Sequence, residues 1–393
     1  MKIPITKPYF GEEEKEAVCA VLDSGWVVQG PRVAEFERLV SEYVGAKFAK
    51  ASTSCTTSLH LALRALEVGP GDEVLLPSFT FIASANAIEY TGARPVFIDI
   101  DLNTFNIDTR KVEEYLERAR KHGTNVRAIM PVHLFGLCAE MDNIIEIAQK
   151  YNLFVIEDAA CALGSLYKGR YAGTLGDAGC FSFHPRKPIT TGEGGMLTTN
   201  NPDIAAKAES LRDHGAAVSD KTRHDTGTSL LPAYDVLGYN YRMTDIQGAI
   251  GIVQMGKFPW ILEKRIEKAK RYDEALKSLP WLKTPRVPDG FRHSYQSYVT
   301  LVQDLKDNST VEKSHRFRNR VMATLEKNGI ATRQGTHAVH TLNYYKKKYD
   351  LKEEDYPNAL AADRLSMTLP LYPQMTDEEQ EYVINQLKAI NYR

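Results

Sequence analysis

Short apolar runs alternate with amphipathic stretches from about residue 45 to about residue 215, and this alternation limits the possible folds more than any other feature. Between several of these runs the apolar residues follow the spacing of a helix, for instance over Met141–Tyr151. Such βαβα alternation predicts an α/β fold whose sheet is largely parallel and carries helices on both faces. The predicted strands are Glu73–Pro77, Pro95–Ile100, Val126–Val132, Leu153–Ile156, Gly179–Phe183 and Gly195–Thr199.

The length of 393 residues allows roughly two domains of ~100–200 residues each. Thr244 and Gln247 have the spacing of a capping box, which predicts the start of a long helix that ends before Pro280. We therefore predict a larger domain with an N-terminal segment over 1–260. A smaller C-terminal α/β domain over 261–393 is expected to begin within that linking helix.

Charge and composition exclude several classes of protein. The chain has 49 basic and 50 acidic side chains, so a general surface for nucleic acid is not expected. No apolar run approaches the roughly 20 residues of a membrane span, and the N-terminus lacks the apolar core of a signal peptide. Five scattered cysteines, never spaced as CxxC, predict neither disulfides nor a metal site. We expect a cytoplasmic protein.

A lysine and an aspartate fall just past two predicted strands. Asp158 follows Leu153–Ile156, and Lys187 follows Gly179–Phe183. Ligands of open α/β sheets collect at the carboxyl ends of the strands. A lysine amine can form a Schiff base if its pocket favours the neutral form over the usual pKa of about 10.4. Together with a carboxylate that keeps a pyridine nitrogen protonated, it suits pyridoxal phosphate (PLP).

Hydroxyl and aromatic side chains supply candidates for the rest of a PLP site. Thr56 and Thr57 stand before a predicted helix, whose N-terminus would attract a phosphate, and ordinary helix capping is the alternative role for them. Ser182 adds a hydroxyl near the end of another strand. Phe79 and Phe81 alternate after a strand, so only one of them can face the pocket and cover the ring.

The chain resembles the DegT/DnrJ/EryC1/StrS family, the PLP-dependent sugar aminotransferases of fold type I. The similarity runs nearly end to end, and the lysine loop together with the asparagine motif is its most specific part. The matching segments are Gly25–Pro31, Gly71–Val74, Pro77–Phe81, Pro131–His133, Glu157–Ala160, Lys187 with its glycine loop, and Gly238–Met243.

This resemblance implies the roles of the cofactor-binding residues. Lys187 would form the Schiff base, Asp158 would pair with the ring nitrogen, and Phe81 would stack on the ring. Asn240 would reach the phosphate from the neighbouring subunit, so two complete sites require a homodimer. The remaining phosphate contacts would come from Thr56, Thr57 and Ser182.

On the substrate side, the resemblance places His184 near the Schiff base and His337 in a loop that helps to bind the sugar. One residue departs from the family pattern. Cys161 stands where the family usually has glutamine, sometimes glutamate, close to the cofactor ring. A thiol is a weak hydrogen-bond partner, so water or another residue is expected to take over that contact.

The resemblance implies a two-step amino transfer. Glutamate would convert PLP to pyridoxamine phosphate, which would then aminate a keto group of a nucleotide-linked deoxysugar. The form of Gly238–Met243 is most similar to nucleotide-sugar 4-aminotransferases such as perosamine synthases, which favours C4. A C3-keto sugar or a keto-cyclitol remains an alternative substrate, and the pathway served stays open.

Two other classes of protein are also considered. Dehydratases of this family replace the lysine by histidine, so Lys187 disfavours a PLP-dependent dehydratase. A non-catalytic member would show a degraded lysine–aspartate pair, whereas Lys187 and Asp158 are both present.

Overall fold

The computed structural model describes residues 1–217, 232–304 and 310–391. The strands of the N-terminal part are β1 Phe48–Ser52, β2 Glu73–Pro77, β3 Phe79–Thr80, β4 Arg94–Ile98, β5 Val126–Ile129, β6 Phe154–Asp158, β7 Leu166–Tyr167, β8 Arg170–Tyr171, β9 Ala178–Ser182 and β10 Gly195–Thr199. The later strands are β11 Leu282–Lys283, β12 Phe291–Arg292, β13 Tyr298–Val302, β14 His337–Ala338 and β15 Ser366–Leu369.

The α-helices surround these strands. Before the C-terminal strands come α1 Glu12–Ser24, α2 Pro31–Val44, α3 Cys55–Ala65, α4 Ala83–Tyr90, α5 Thr109–His122, α6 Met141–Tyr151, α7 Pro202–Arg212 and α8 Asp245–Leu276. They are followed by α9 Val311–Lys327, α10 Asn343–Tyr349, α11 Pro357–Leu365 and α12 Asp377–Lys388. Short 3₁₀ turns occupy Leu134–Gly136, Val339–Thr341 and Glu353–Asp355.

Seven strands form the central sheet, in the order β1-β10-β9-β6-β5-β2-β4. Neighbours from β9 to β4 are parallel, and β10 is antiparallel to both β9 and β1. The sheet is therefore mostly parallel, which confirms the predicted α/β fold.

Helices cover both faces of this sheet, because successive apolar side chains of a strand point to opposite faces and both sets are buried. In β2, Leu75 joins one core with Phe36 of α2, whereas Val74 and Leu76 join the other core with Leu59 of α3. Such runs, apolar on both faces, are typical of parallel strands buried between helical layers.

Helix α8 links the central sheet to the C-terminal part. Thr244 caps it as predicted: its Oγ accepts a hydrogen bond from Gln247 N at 3.3 Å, and Gln247 Oε1 accepts one from Thr244 N at 3.0 Å. The second half of the helix contributes Tyr272 and Leu276 to a further core, beneath the three-stranded sheet β11-β13-β15. The helix thus runs through the predicted domain boundary, whose position at residue 260 stays a prediction.

Within the described ranges, no helix is long and apolar enough to cross a membrane. The same ranges contain no group of three or more His, Cys, Asp or Glu side chains placed to hold a metal ion.

Candidate active site

Asp158 lies at the carboxyl end of β6, near the middle of the sheet. Its Oδ2 accepts a hydrogen bond from Ser84 Oγ at 2.7 Å, and its Oδ1 accepts one from Ala160 N at 3.1 Å. The residue is only 5% exposed. Two donors therefore fix this carboxylate in a buried position. Ser84, at the start of α4, was not foreseen from the sequence, because nothing in its local pattern indicates a contact with β6.

Lys187 reaches the same region from the loop after β9. Its amine donates a hydrogen bond to Cys161 Sγ at 3.1 Å. Burial alone would lower the pKa of this amine, but the Cys161 sulfur, and then Cys55 and Asp158, outweigh burial and raise the pKa. In this arrangement sulfur and carboxylate groups, and not cations, act on the amine, so its protonated form is favoured while no Schiff base is formed.

Cys161 therefore has a contact that the sequence did not predict. The sequence indicated only that water or another residue takes over the contact of Cys161 with the cofactor ring, and the structure pairs the sulfur with the Lys187 amine. The residue is half-buried, and its carbonyl accepts a hydrogen bond from Ser294 Oγ at 3.3 Å.

The N-terminus of α3 offers donors for a phosphate group. Its first two N–H groups, those of Cys55 and Thr56, have no hydrogen-bond acceptor among the described residues. The Thr56 side chain is likewise unbonded within these residues and is half-buried. Ser54 is the N-cap, and Thr57 completes its capping box: Thr57 Oγ accepts a hydrogen bond from Ser54 N at 3.0 Å and donates one to Ser54 O at 2.7 Å. Capping therefore engages the Thr57 hydroxyl, while that of Thr56 stays available.

Strand register brings Ser182 to the same helix end. Ser182 is paired with Gly195, and a Cβ built on Gly195 would lie 2.2 Å from Ser54 O and 2.6 Å from Cys55 N. Only glycine therefore allows β10 to approach the first turn of α3 this closely. In the same sheet, Asp158 is paired with Cys180 of β9. The carboxylate, the Ser182 hydroxyl and the free N–H groups consequently lie in one region.

The pairing of β3 with β14 brings Phe81 and His337 close together. Phe79 is fully buried in a core, whereas Phe81 is 63% exposed, so of the two alternating rings it is Phe81 that is free to face a ligand. His337 of β14 is paired with Thr80 of β3, which places it next to Phe81 along the chain, and it is exposed.

His184 is half-buried in the turn that leads to Lys187. Its Nδ1 accepts a hydrogen bond from Arg186 N at 3.2 Å, and its Nε2 lies 3.9 Å from Glu193 Oε1. Burial lowers the pKa of His184, and Lys187 and Arg186 act in the same direction against the opposing effect of Glu193. The ring is therefore favoured in its neutral form near the lysine.

Asn240 is exposed and bridged through its backbone to Asp213. The following residue, Tyr241, accepts a hydrogen bond at its carbonyl from Thr53 N at 3.0 Å. The segment is therefore anchored beside the start of α3, while the Asn240 side chain projects outward.

These groups fit PLP by their chemistry. An enclosed amine and a fixed carboxylate suit the aldehyde and the ring nitrogen of PLP. Free N–H groups at a helix start, with the Thr56 and Ser182 hydroxyls beside them, suit its phosphate. Phe81 offers a flat apolar side chain for the ring.

Comparison with known proteins identifies the family of the chain. The model of the DegT/DnrJ/EryC1/StrS aminotransferase family matches residues 8–388. The spore coat polysaccharide biosynthesis protein SpsC of Bacillus subtilis is 39% identical over 388 residues, which cover 99% of this chain and 97% of SpsC. The GDP-perosamine synthase of Caulobacter vibrioides is 38% identical over 392 residues, which cover 99% of this chain and 98% of that protein.

A solved structure extends the likeness to the whole fold. The PMP form of the putative sugar aminotransferase Spr1654 from Streptococcus pneumoniae superposes with a TM-score of 0.88 at 31% identity, covering 98% of each chain. Spr1654 is also known in a PLP form. The family resemblance and the fold type predicted from the sequence are thereby confirmed. The chain belongs to the DegT/DnrJ/EryC1/StrS family of PLP-dependent sugar aminotransferases.

Proposed function

We propose that this enzyme transfers the amino group of glutamate to the C4 keto group of a nucleotide-linked deoxysugar. The observation that carries the proposal is the Lys187 amine, which lies close enough to the fixed Asp158 carboxylate for that carboxylate to raise the pKa of the amine. The likeness to a GDP-perosamine synthase and the form of Gly238–Met243 support a sugar nucleotide and the C4 position. Because the cysteines of the chain are free, we place the reaction in the cytoplasm.

Each side chain has a defined task in this proposal. When bound, PLP supplies an aldehyde that carries the amino group and a ring that stabilises a developing carbanion. Lys187 moves a proton to and from the substrate carbon, and Asp158 holds a proton on the pyridine nitrogen. Thr56, Thr57 and Ser182 bind the phosphate, mainly through Thr56 and Ser182, because capping engages Thr57. Phe81 covers the ring.

We further propose that His184 and His337 contact the sugar. His184 lies in the turn before Lys187, and strand pairing places His337 beside the segment that carries Phe81. Both side chains therefore border the region in which the reacting carbon must lie.

We also infer a homodimer with shared sites. Asn240, proposed to bind the phosphate of the neighbouring subunit, is exposed, and apolar side chains before it are exposed as well. Leu237 is 86% exposed and Val236 is 51% exposed. Exposed apolar side chains that lie close together mark interaction surfaces.

The donor reaction tests the proposed function. Purified enzyme loaded with PLP is mixed with L-glutamate, and the visible absorbance of the bound cofactor and the formation of 2-oxoglutarate are followed. The wild type is expected to lose the absorbance and release one 2-oxoglutarate per site, whereas Lys187→Ala is expected to do neither. Borohydride reduction before digestion is expected to place the mass of the cofactor on Lys187. A wild type that leaves glutamate unchanged would contradict an aminotransferase and favour a dehydratase.

The second half of the reaction identifies the acceptor. Enzyme that has reacted with glutamate is offered 4-keto and 3-keto sugar nucleotides and a keto-cyclitol, and the return of the absorbance is measured. A response confined to the 4-keto sugar nucleotides is expected. Amination of the 3-keto sugar or the cyclitol alone would contradict the C4 assignment.

A further inference from the structure

Two arginines beside the candidate site have no anionic partner among the residues that the structure describes. Arg186 directly precedes Lys187, and Arg333 lies four residues before His337. Both are exposed, and neither guanidinium forms an ion pair or hydrogen bond with any residue in 1–217, 232–304 or 310–391. Two other arginines near the sheet edge are paired: Arg212 with Glu37, and Arg242 with Asp213.

Backbone and side-chain contacts hold the two arginines on the same small sheet. Gln296, two residues before β13, donates a hydrogen bond through Nε2 to the Arg186 carbonyl at 2.8 Å. The carbonyl of Arg333 accepts a hydrogen bond from Thr368 N of β15 at 2.6 Å. Thr368 is in turn paired with Val299 of β13. Both segments are therefore anchored to neighbouring strands.

Neither of two nearby carboxylates, Glu193 and Asp363, forms an ion pair with these arginines within the described residues. Glu193 faces His184, and Asp363 Oδ1 accepts hydrogen bonds from Gln334 Nε2 at 2.8 Å and from Ala338 N at 2.9 Å. Partial burial, and then repulsion from Arg186, lower the pKa of Arg333. Repulsion between two like charges that lack a counter-ion is reduced when an anion binds between them.

We propose that Arg186 and Arg333 form a subsite for an anionic group of a substrate, next to the reacting lysine. This inference rests on the proposed function, which offers two sources of such an anion. One is a carboxylate of the amino donor, and the other is the diphosphate of the sugar nucleotide. Guanidinium groups suit both, because their planar donors bind carboxylate or phosphate oxygens in pairs.

The test compares Arg186→Ala and Arg333→Ala with the wild type, all loaded with PLP so that the cofactor phosphate fills its own site. Two quantities are measured: the concentration of L-glutamate that gives half of the maximal donor-reaction rate, and the dissociation constant of inorganic pyrophosphate by calorimetry. Arg170→Ala serves as the matched control, because Arg170 is an exposed arginine on the short hairpin strand β8.

If the anion is the donor carboxylate, each variant raises the half-saturating glutamate concentration about 10- to 100-fold, with the maximal rate and pyrophosphate binding unchanged. If it is the diphosphate, each variant weakens pyrophosphate binding by a similar factor and leaves the glutamate reaction unchanged. Arg333→Lys, which keeps the charge but loses the paired donors, is expected to fall between the wild type and Arg333→Ala.

The proposal is overturned if both quantities stay within about two-fold of the wild type in both variants, or if Arg170→Ala changes them equally. Absence of pyrophosphate binding in the wild type, together with an unchanged glutamate reaction in the variants, overturns it as well. A wild type inactive with glutamate would contradict the proposed function only, because calorimetry with pyrophosphate still tests the arginine pair.

Discussion

At the scale of the residue, Glu157 ties together three segments behind the site. Its oxygens accept hydrogen bonds from His133 Nε2 and from the backbone N–H groups of Gly173, Leu175 and Gly176, at 2.7–2.8 Å. The side chain is fully buried. Because consecutive residues of a strand point to opposite faces, this anchor fixes the end of β6 from the face away from Asp158.

We expect Glu157→Gln to destabilise the protein by about 3–5 kcal/mol, because the amide turns an N–H group toward backbone donors and leaves them without an acceptor. Urea unfolding followed by circular dichroism measures the change. Glu146→Gln, on the exposed side of α6, is the control and is expected to stay within ~0.5 kcal/mol of the wild type. A loss of less than about 1 kcal/mol in Glu157→Gln would contradict the anchoring role.

A buried histidine gives the stability a defined pH dependence. His60 is 3% exposed and contacts the Tyr241 hydroxyl at 3.1 Å through Nδ1. Burial, and then Arg64, lower the pKa of His60 from 6.5 to about 4. As the pH falls, the unfolded chain therefore takes up this proton first. The stabilisation is complete above pH 6.5 and is lost as the pH falls toward 4.

Between pH 7.5 and pH 5.5, His60 is expected to remove about 1 kcal/mol from the free energy of unfolding. His60→Gln should therefore lose about 1 kcal/mol less than the wild type over this interval, measured by urea unfolding at the two pH values. His122→Gln, at an exposed position on α5, should leave the pH dependence unchanged. Equal pH dependence in His60→Gln and the wild type would show that His60 titrates normally.

At the scale of the element, two glycines of α8 differ in their role: one is needed for packing, and the other only affects helix propensity. A Cβ added to Gly251 would lie 2.8 Å from three ring carbons of Phe36 in α2, so this glycine permits the close contact of the two helices. Gly256, one and a half turns later, is exposed and has no atom within 4 Å of such a Cβ. Gly256 therefore lowers helix stability without serving any contact within the described chain.

Gly256→Ala is expected to raise the free energy of unfolding by about 0.5–1 kcal/mol, because alanine loses less backbone entropy in a helix. Gly251→Ala is expected to lower it by about 1–3 kcal/mol, because the ring of Phe36 must move. Thermal and urea unfolding of the two variants serve as mutual controls. The same sign for both would contradict the packing difference.

At the scale of the whole molecule, strand order explains which parts of the site are predictable from sequence. Asp158 and Lys187 follow apolar runs, and the rule for parallel sheets brings such strand ends together. The contact of Cys161 with Lys187 and that of Ser84 with Asp158 join residues 26 and 74 positions apart. No local pattern encodes such contacts, because they depend on how loops fold over the sheet.

For some residues the sequence leaves two roles open, and only the packed structure decides between them. Alternation left Phe79 and Phe81 equivalent, and only the assembled core shows that Phe79 is buried and Phe81 exposed. Helix capping was the alternative to phosphate binding for Thr57, and the hydrogen bonds with Ser54 show that the capping box engages its hydroxyl. Sequence thus identifies which residue types occupy the sheet edge, whereas packing decides which of them are free.

The last prediction concerns the proposed dimer with shared sites. If each site needs residues from two chains, mixing two inactive variants can restore an intact site. Lys187→Ala removes the reacting amine, and Asn240→Asp is expected to repel the cofactor phosphate of the neighbouring subunit. In a hybrid of the two variants, one site has both defects and the other has neither. Random mixing makes half of the dimers hybrids, so we expect about a quarter of the wild-type donor activity.

The measurement uses co-expression of the two variants with different affinity tags and purification through both tags. Hybrids isolated in this way should reach about half of the wild-type activity, because one of their two sites is intact. Each variant alone should be nearly inactive, and light scattering should give twice the chain mass of 44.1 kDa. Inactive hybrids of the correct mass would mean that Asn240 and Lys187 act within one chain, and a mass of a single chain would refute the dimer itself.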